Sequence, residues 1–185
     1  MEEVTVLRPN GSQLVCIKNY VAPCGTLIIG SIGEKICLCD WEGSKHRFAI
    51  DRRLVQSLRT IYKVIDSRTN MEAARQLDEY FAGKRTGFTL PLLFIGTEFQ
   101  RKVWNEMMTI PYGETISYAD LAERCGKPKA ARAVAKACAA NAIAIFAPCH
   151  RVTGAEGPDS TGYAGGSDAR EFLLGLEAKG KLLLA

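Results

Sequence analysis

The first half of the chain begins with short apolar runs at strand-like spacing and then changes to helical spacing. Leu14–Lys18, Thr26–Ile32 and Lys35–Trp41 are rich in branched and aromatic residues and bounded by turn formers, which predicts three strands, with Ile32-Gly33-Glu34 as a hairpin turn. Leu54, Leu58, Ile61 and Tyr62 recur at helical intervals, so a helix is expected over Asp51–Lys63. A second helix is expected over Met71–Ala82, with Asn70 as its N-cap and Gly83 just past its end. Gly83–Gly96 mixes turn residues with a short apolar stretch and reads as a linker. The expectation is an α/β domain over residues 1–90.

Residues 91–185 read as a second, mainly helical domain. Thr97-Glu98-Phe99-Gln100 is a capping box that opens a helix over Phe99–Met108, and Trp104, Phe99 and Met107 on it are expected in the core. Pro111-Tyr112-Gly113 breaks that helix. Ser117 caps a short helix to Arg124, Cys125-Gly126-Lys127-Pro128 turns, and a further helix follows over Lys129–Ala140. Two short helices joined by a glycine-containing turn form a helix-turn-helix candidate. Ala142–Ala147 is expected as a short apolar strand. Five glycines lie between Gly154 and Gly166, and Ser167 is expected to cap a last helix ending near Gly180.

Composition narrows the class. Hydrophobic residues make up 47% and charged residues 24% of 185, too apolar for a disordered chain. No apolar run approaches the ~18 residues of a membrane span, and the N-terminus lacks the apolar region of a secretory signal. The odd number of cysteines, seven, has no zinc-finger spacing. Free thiols in a reducing, cytoplasmic setting are therefore expected. Cys37 and Cys39 share a strand face and could join Cys16, Cys24 and His46 around zinc, but structural thiols are the expectation, with no metal and no cofactor. The net charge is +4, yet Arg124, Lys127, Lys129, Arg132, Lys136 and Arg151 stand together with no acid among them, leaving the rest of the chain at −2. Such a segment is either a solvated surface or a footprint for phosphate.

Two features point to chemistry. The Lys129–Ala140 helix is nearly all alanine between its basic residues, so it either packs tightly on a neighbour or is slim enough to enter a DNA groove, with Arg132 as its long projecting residue. Cys149-His150 sets a thiol beside an imidazole. An unperturbed cysteine is only a few per cent thiolate at neutral pH, and a base that takes its proton makes it a nucleophile. On extended backbone the two side chains would point to opposite faces, so either the backbone bends or a water bridges them. Arg151 would add positive potential favouring thiolate. A buried structural thiol is the alternative.

Taken together, Ile110-Pro111-Tyr112-Gly113-Glu114-Thr115-Ile116-Ser117-Tyr118, Gly126-Lys127-Pro128-Lys129-Ala130-Ala131-Arg132-Ala133-Val134, Asn141, Pro148-Cys149-His150-Arg151-Val152 and Gly162-Tyr163-Ala164-Gly165-Gly166 resemble the O6-alkylguanine-DNA alkyltransferases in order and spacing. The resemblance covers about Phe99 to Glu177, with a weaker likeness at Asp78–Gly83. It implies a ribonuclease-H-like N-terminal α/β domain and a winged-helix-like C-terminal domain with a helix-turn-helix. It further implies a monomer that repairs O6-alkylguanine in double-stranded DNA, and possible action on O4-alkylthymine, by minor-groove binding and base flipping. The alkyl group passes once and irreversibly to the protein's own cysteine. By the same resemblance Cys149 is the acceptor and His150 the base acting through a water. Glu177 orients His150, Asn141 braces the reactive turn and Tyr118 donates to the base being repaired. Arg132 fills the space left in the duplex and Tyr163 walls the pocket. Ser117, Lys129, Ala130, Ala131, Arg151 and Val152 complete the set expected at the substrate or the DNA. The chain departs from the family pattern at Ala142, where proline is common, at Ala147, where a larger aliphatic residue is usual, and in a longer loop around Pro158-Asp159-Ser160; all bear on pocket width. Two other classes compete: a damage-sensing DNA-binding protein without catalysis, and a Cys-His hydrolase that turns over repeatedly.

Overall fold

The structure, a computed structural model, describes residues 14–154 and 162–184, so the loop insertion at Pro158-Asp159-Ser160 and the N-terminal residues lie outside it. The first half is a four-stranded sheet in the order β3-β2-β1-β4. Its strands are β1 (Val15–Ala22), β2 (Gly25–Ile32), β3 (Lys35–Trp41) and β4 (Tyr62–Val64). β1, β2 and β3 form an antiparallel meander, and β4 joins β1 in parallel. Leu27 and Ile29, alternating on one face of β2, are fully buried, as the two-residue period of a half-covered sheet requires. Helix α2 (Arg68–Phe81) covers that sheet with Ala73, Leu77 and Tyr80. Burying a side chain such as Leu77 is worth ~1.5–3 kcal/mol.

Two elements of this half differ from the sequence reading. Helix α1 spans Arg47–Leu58, because Arg59 takes a left-handed conformation and ends it; Ile61 and Tyr62 then leave the helical path and Tyr62 opens β4. Ser67, not Asn70, caps α2, its hydroxyl accepting the Asn70 N–H, while the Asn70 side chain is buried and donates to the Cys16 carbonyl.

In the second half, α3 (Glu98–Met107) opens on the expected capping box of Thr97 and Gln100. Helix α4 (Tyr118–Arg124) is capped by Ser117 with Asp120, and after a turn at Gly126 comes α5 (Ala131–Ala139). α3, α4 and α5 pack together around Val103, Trp104, Met107, Leu121 and Val134, with Trp104 donating to the Ala137 carbonyl at 2.9 Å. A small parallel pair, β5 (Ile116–Ser117) and β6 (Val152–Thr153), flanks them. The last helix, α6 (Gly166–Leu184), runs past Gly180, where the Tyr112 hydroxyl occupies the space a side chain would need.

The expected strand at Ala142–Ala147 does not form. Residues 142–144 instead dock on the free edge of β3: Cys39 N–H donates to the Ala142 carbonyl at 2.8 Å, and Ala144 N–H to the Cys39 carbonyl at 2.6 Å. The chain then doubles back through Ile145, which is buried at φ 69°, a strained value for a β-branched residue. Among the described residues no cluster of His, Cys, Asp or Glu could hold a metal ion, so Cys16, Cys24, Cys37, Cys39 and His46 do not converge on one. Among the same residues, no helix is long and apolar enough to cross a membrane.

Candidate active site

The doubled-back segment delivers Pro148 and the 3-10 turn Cys149–Arg151 into the interior. The backbone bends here, so successive side chains sit about a third of a turn apart rather than on opposite faces. Asn141 fixes the approach. Its Nδ2 donates to the Ala147 carbonyl at 3.0 Å, its Oδ1 accepts the Ile143 N–H at 3.0 Å, and its side chain hydrogen-bonds the Cys149 thiol. Cys149 is 8% exposed, and burial pushes its pKa up to about 11; the Asn141 contact and Arg170 pull down, while Asp40 pushes up. At neutral pH this sulfur holds its proton and needs a base to become a nucleophile.

An imidazole is next to it in sequence and held from behind. His150 is fully buried, and burial lowers its pKa against the pull of Glu177, so the ring is neutral at pH 7. Its Nε2 lies 2.9 Å from Glu177 Oε1 and donates to that carboxylate, which leaves Nδ1 deprotonated and without a partner among the described residues. Glu177, on the buried face of α6, is a hub. It accepts from Arg151 Nε and Nη2, each at 2.9 Å, from the Tyr80 hydroxyl at 2.7 Å and from the Gly113 N–H at 3.0 Å. Burial alone would raise its pKa, but the donors from His150 and Arg151 outweigh it and hold the carboxyl well below the usual range. Two turns earlier on the same face, Arg170 donates to the His150 carbonyl at 3.3 Å and to the Val152 carbonyl, pinning the reactive turn to α6.

Cys149 borders a cavity of about 30 Å³ lined by Tyr118, Ala135, Cys138, Ala139, Asn141, Tyr163 and Arg170. That volume holds about one water, so a purine requires the walls to part. A larger cavity of about 420 Å³ lies against Trp41, Lys45 and the other side of Tyr163, and Cys149 does not line it. Gly165 lies so close to the Trp41 ring that a Cβ would fall 2.5 Å from it, which makes glycine obligatory in this wall.

The structure thus brings together Cys149, His150, Glu177, Asn141, Tyr118 and Tyr163. Arg132 is exposed on α5, and positions 132, 135 and 139 share one helical face, so it stands at the rim of the cavity that Ala135 and Ala139 line. Lys127, Lys129 and Lys136 are exposed with it; Ala130 and Ala131 are half-buried at the start of α5, and Ser117 spends its hydroxyl on the α4 cap. Arg151 and Val152 point inward. Arg151 is 7% exposed, with its guanidinium committed to Glu177 and the Ile110 carbonyl, and the Val152 side chain is fully buried in β6. Arg151 therefore neutralises Glu177 instead of adding free positive potential to the thiol. Sequence reasoning missed Tyr80, Arg170 and the Gly113 amide. Arg170 carried one usable signal, a charge seven residues before Glu177 on the same helical face.

Comparison with known proteins places both halves. The family model described as 6-O-methylguanine DNA methyltransferase, DNA binding domain, matches residues 98–179, and that of the ribonuclease-like domain of the same proteins matches residues 18–94. A methylated-DNA–protein-cysteine methyltransferase of Methanosarcina acetivorans is 56% identical over 106 residues, 57% of this chain and 67% of that protein. Those of Mycobacterium leprae and Bacillus subtilis are 55% and 53% identical over 57% of this chain and 64% of their own length. The chain thus spans about two thirds of the curated relatives it matches. The crystal structure of Mycobacterium tuberculosis O6-methylguanine methyltransferase superposes with a TM-score of 0.76 at 35% identity, covering 93% of this chain and 100% of that one. The structure of Mycobacterium tuberculosis OGT in complex with DNA gives 0.76 at 37% identity, covering 90% and 94%.

Proposed function

The chain belongs to the 6-O-methylguanine DNA methyltransferase family, and from that premise we propose that it repairs DNA by moving an alkyl group from O6-alkylguanine to its own Cys149, once per molecule. The observation that carries this reading is a buried, protonated thiol braced by Asn141 and next in sequence to a neutral imidazole, whose Nε2 donates to an ionised carboxylate while its Nδ1 has no partner among the described residues. That is the arrangement a one-time nucleophile needs: shielded from other electrophiles at rest, with a base at hand when the alkyl carbon arrives.

In this mechanism the duplex lies on the α4-turn-α5 motif as in winged-helix-like proteins, with the 1–90 and 91–185 halves as separate domains of a cytoplasmic monomer. Lys127, Lys129 and Lys136 meet phosphates, and the amides at Ala130 and Ala131 and the Ser117 region complete the backbone contact. Such contacts give salt-dependent, sequence-independent affinity. The damaged nucleotide is flipped, at a cost of a few kcal/mol that is least for a mispaired base, and Arg132 occupies its place. Tyr163 and the Gly162–Gly166 wall yield to admit the base. The Cys149 proton passes through a water to His150 Nδ1. The thiolate then attacks the alkyl carbon, a C–S bond forms as the C–O bond breaks, and the electron pair leaves on guanine. Tyr118 donates to the ring as that charge develops, which is worth most in a dry pocket. The proton ends on the guanine, and the thioether is stable to water, so the protein is consumed.

Incubation with a duplex carrying O6-methylguanine is expected to add one methylene mass, ~14 Da, to the Cys149 peptide and to no other. Binding without an adduct would establish the damage-sensing alternative. Repeated turnover of a small ester or amide would point to hydrolysis.

Arg132→Ala is expected to slow repair in duplex by roughly tenfold or more, one order of magnitude for each ~1.4 kcal/mol of lost extrusion energy. Its reaction with free O6-alkylguanine base should barely change. Equal slowing of both, measured side by side in single-turnover assays, would remove the space-filling role.

A further inference from the structure

Among the partners of Glu177, one comes from the other half of the chain and takes no part in the transfer steps above. Tyr80 stands on α2 of the sheet-bearing half, 97 residues away in sequence, yet its hydroxyl donates to Glu177 Oε1 at 2.7 Å. That is the oxygen facing His150 Nε2 at 2.9 Å. The Tyr80 ring is fully buried and fixed on three sides, by Phe81 and Phe88 at 5.4 Å between ring centres and by Tyr112 edge-on at 6.1 Å. The hydroxyl therefore has one direction available. A tyrosine placed only to fill this core would not need to end on the carboxylate.

We propose that Tyr80 is a positioning residue for the alkyl transfer: by donating to Glu177 Oε1, it limits how strongly that carboxylate pulls on His150 and so keeps the imidazole unprotonated and able to serve Cys149. The physical basis is charge withdrawal. A hydrogen bond to an ionised carboxylate delocalises its negative charge, and the potential it projects onto a neighbour weakens accordingly. Burial holds the Tyr80 phenol protonated, so it acts as a donor throughout the working pH range. The other groups facing this cluster are Arg151 on the 3-10 turn, Arg170 on α6, Tyr112 and Gly113 in the preceding turn, and Cys149, beyond which Asp40 stands on β3. All of them remain when only the Tyr80 hydroxyl is removed, and Arg151 still keeps Glu177 ionised.

The inference rests on reading His150 as the base for Cys149, and the test separates the two. The chain has only two histidines, His46 and His150, so both imidazoles can be followed by NMR titration of the full chain. In Tyr80→Phe, which keeps the ring, the His150 midpoint should rise by about one pH unit while His46 stays fixed. The sign follows from the lost donor: a more negative Oε1 favours imidazolium, so the base is lost at a higher pH as the medium is acidified. The acid limb of the single-turnover transfer rate should move up by the same amount, and the rate on the alkaline side should stay within about twofold. Fluorotyrosine placed at position 80, a stronger donor of the same shape, should move both midpoints down. An unmoved His150 midpoint, or an equal rate loss at every pH, would overturn the proposal and leave Tyr80 a structural residue. A shifted His150 without a matching kinetic limb would remove His150 as the base, and the inference with it.

Discussion

Replacing Cys149 with alanine is expected to abolish alkyl transfer completely while leaving duplex affinity within about twofold of the original. The two properties separate because they reside on different surfaces. The thiol is buried at the end of the Asn141–Ala147 clasp, whereas the basic side chains of the turn and α5 are exposed. Alanine keeps the backbone of the 3-10 turn and the Asn141 Nδ2 bond to the Ala147 carbonyl, neither of which uses the sulfur. Intact-mass measurement reports the first property and fluorescence anisotropy with labelled duplex the second. Loss of binding together with transfer would mean that the sulfur holds the fold, and the buried-thiol alternative would return.

The largest effect on stability is expected at Glu177. Its carboxylate satisfies His150, Arg151, Tyr80 and the Gly113 amide, all within 3.0 Å. Glu177→Ala strands the Arg151 guanidinium, a buried charge, and breaking one side of such a pair costs ~3–5 kcal/mol. Against a total stability of roughly 5–15 kcal/mol that is a large share, and for a chain of this size it corresponds to a fall in Tm of about 10 °C or more. Glu177→Gln keeps the shape and an acceptor, so it should retain most of the fold. The neutral amide no longer stabilises the imidazolium that forms as Cys149 gives up its proton, and transfer should slow by about two orders of magnitude, the usual contribution of a general base. Thermal denaturation of both variants and single-turnover rates of the glutamine variant check this. A glutamine variant as fast as the original would mean that the carboxylate is only a structural anchor.

The sign of the pH dependence follows from the same network. Glu177 has a folded-state pKa below its unfolded value, so its contribution is present above the ordinary carboxylate range and is lost as pH falls toward the folded value. The neutral, buried His150 acts in the same direction. Protonation favours the unfolded chain once pH drops below the ordinary imidazole range. Acid therefore weakens this site twice over.

What could be read from the sequence was mostly local. The capping boxes at Thr97 and Ser117, the helix-turn-helix punctuation and the Cys149-His150 dipeptide depend on neighbours a few residues apart, and pattern finds them. The end of α1 escaped because Ile61 and Tyr62 continue the spacing of Leu54 and Leu58. Only the left-handed turn at Arg59 shows that the chain has left the helix. Arg151 was counted with the basic segment because sequence order hides a carboxylate 26 residues away that claims it. Tyr80 was hidden for the opposite reason: it sits in register with Ala73 and Leu77 and reads as one more core residue. The strand expected at 142–147 has the right composition, but pairing with the β3 edge and the reversal at Ile145 use it differently.

The docking of residues 142–144 on Cys39 gives Cys149, the proposed acceptor, a coordinate origin far from the helices that surround it. β3 is itself placed by β2 through a register with a bulge at Gly30 and Ser31, where a Cβ on Gly30 would come 2.8 Å from that of Leu38. A slip of one residue along that pairing would carry Cys39 about 3.3 Å along the strand axis, and the turn bearing the sulfur would travel with it. The aim of a single atom at an incoming carbon is thus inherited from how two strands in the other half of the molecule are indexed against each other.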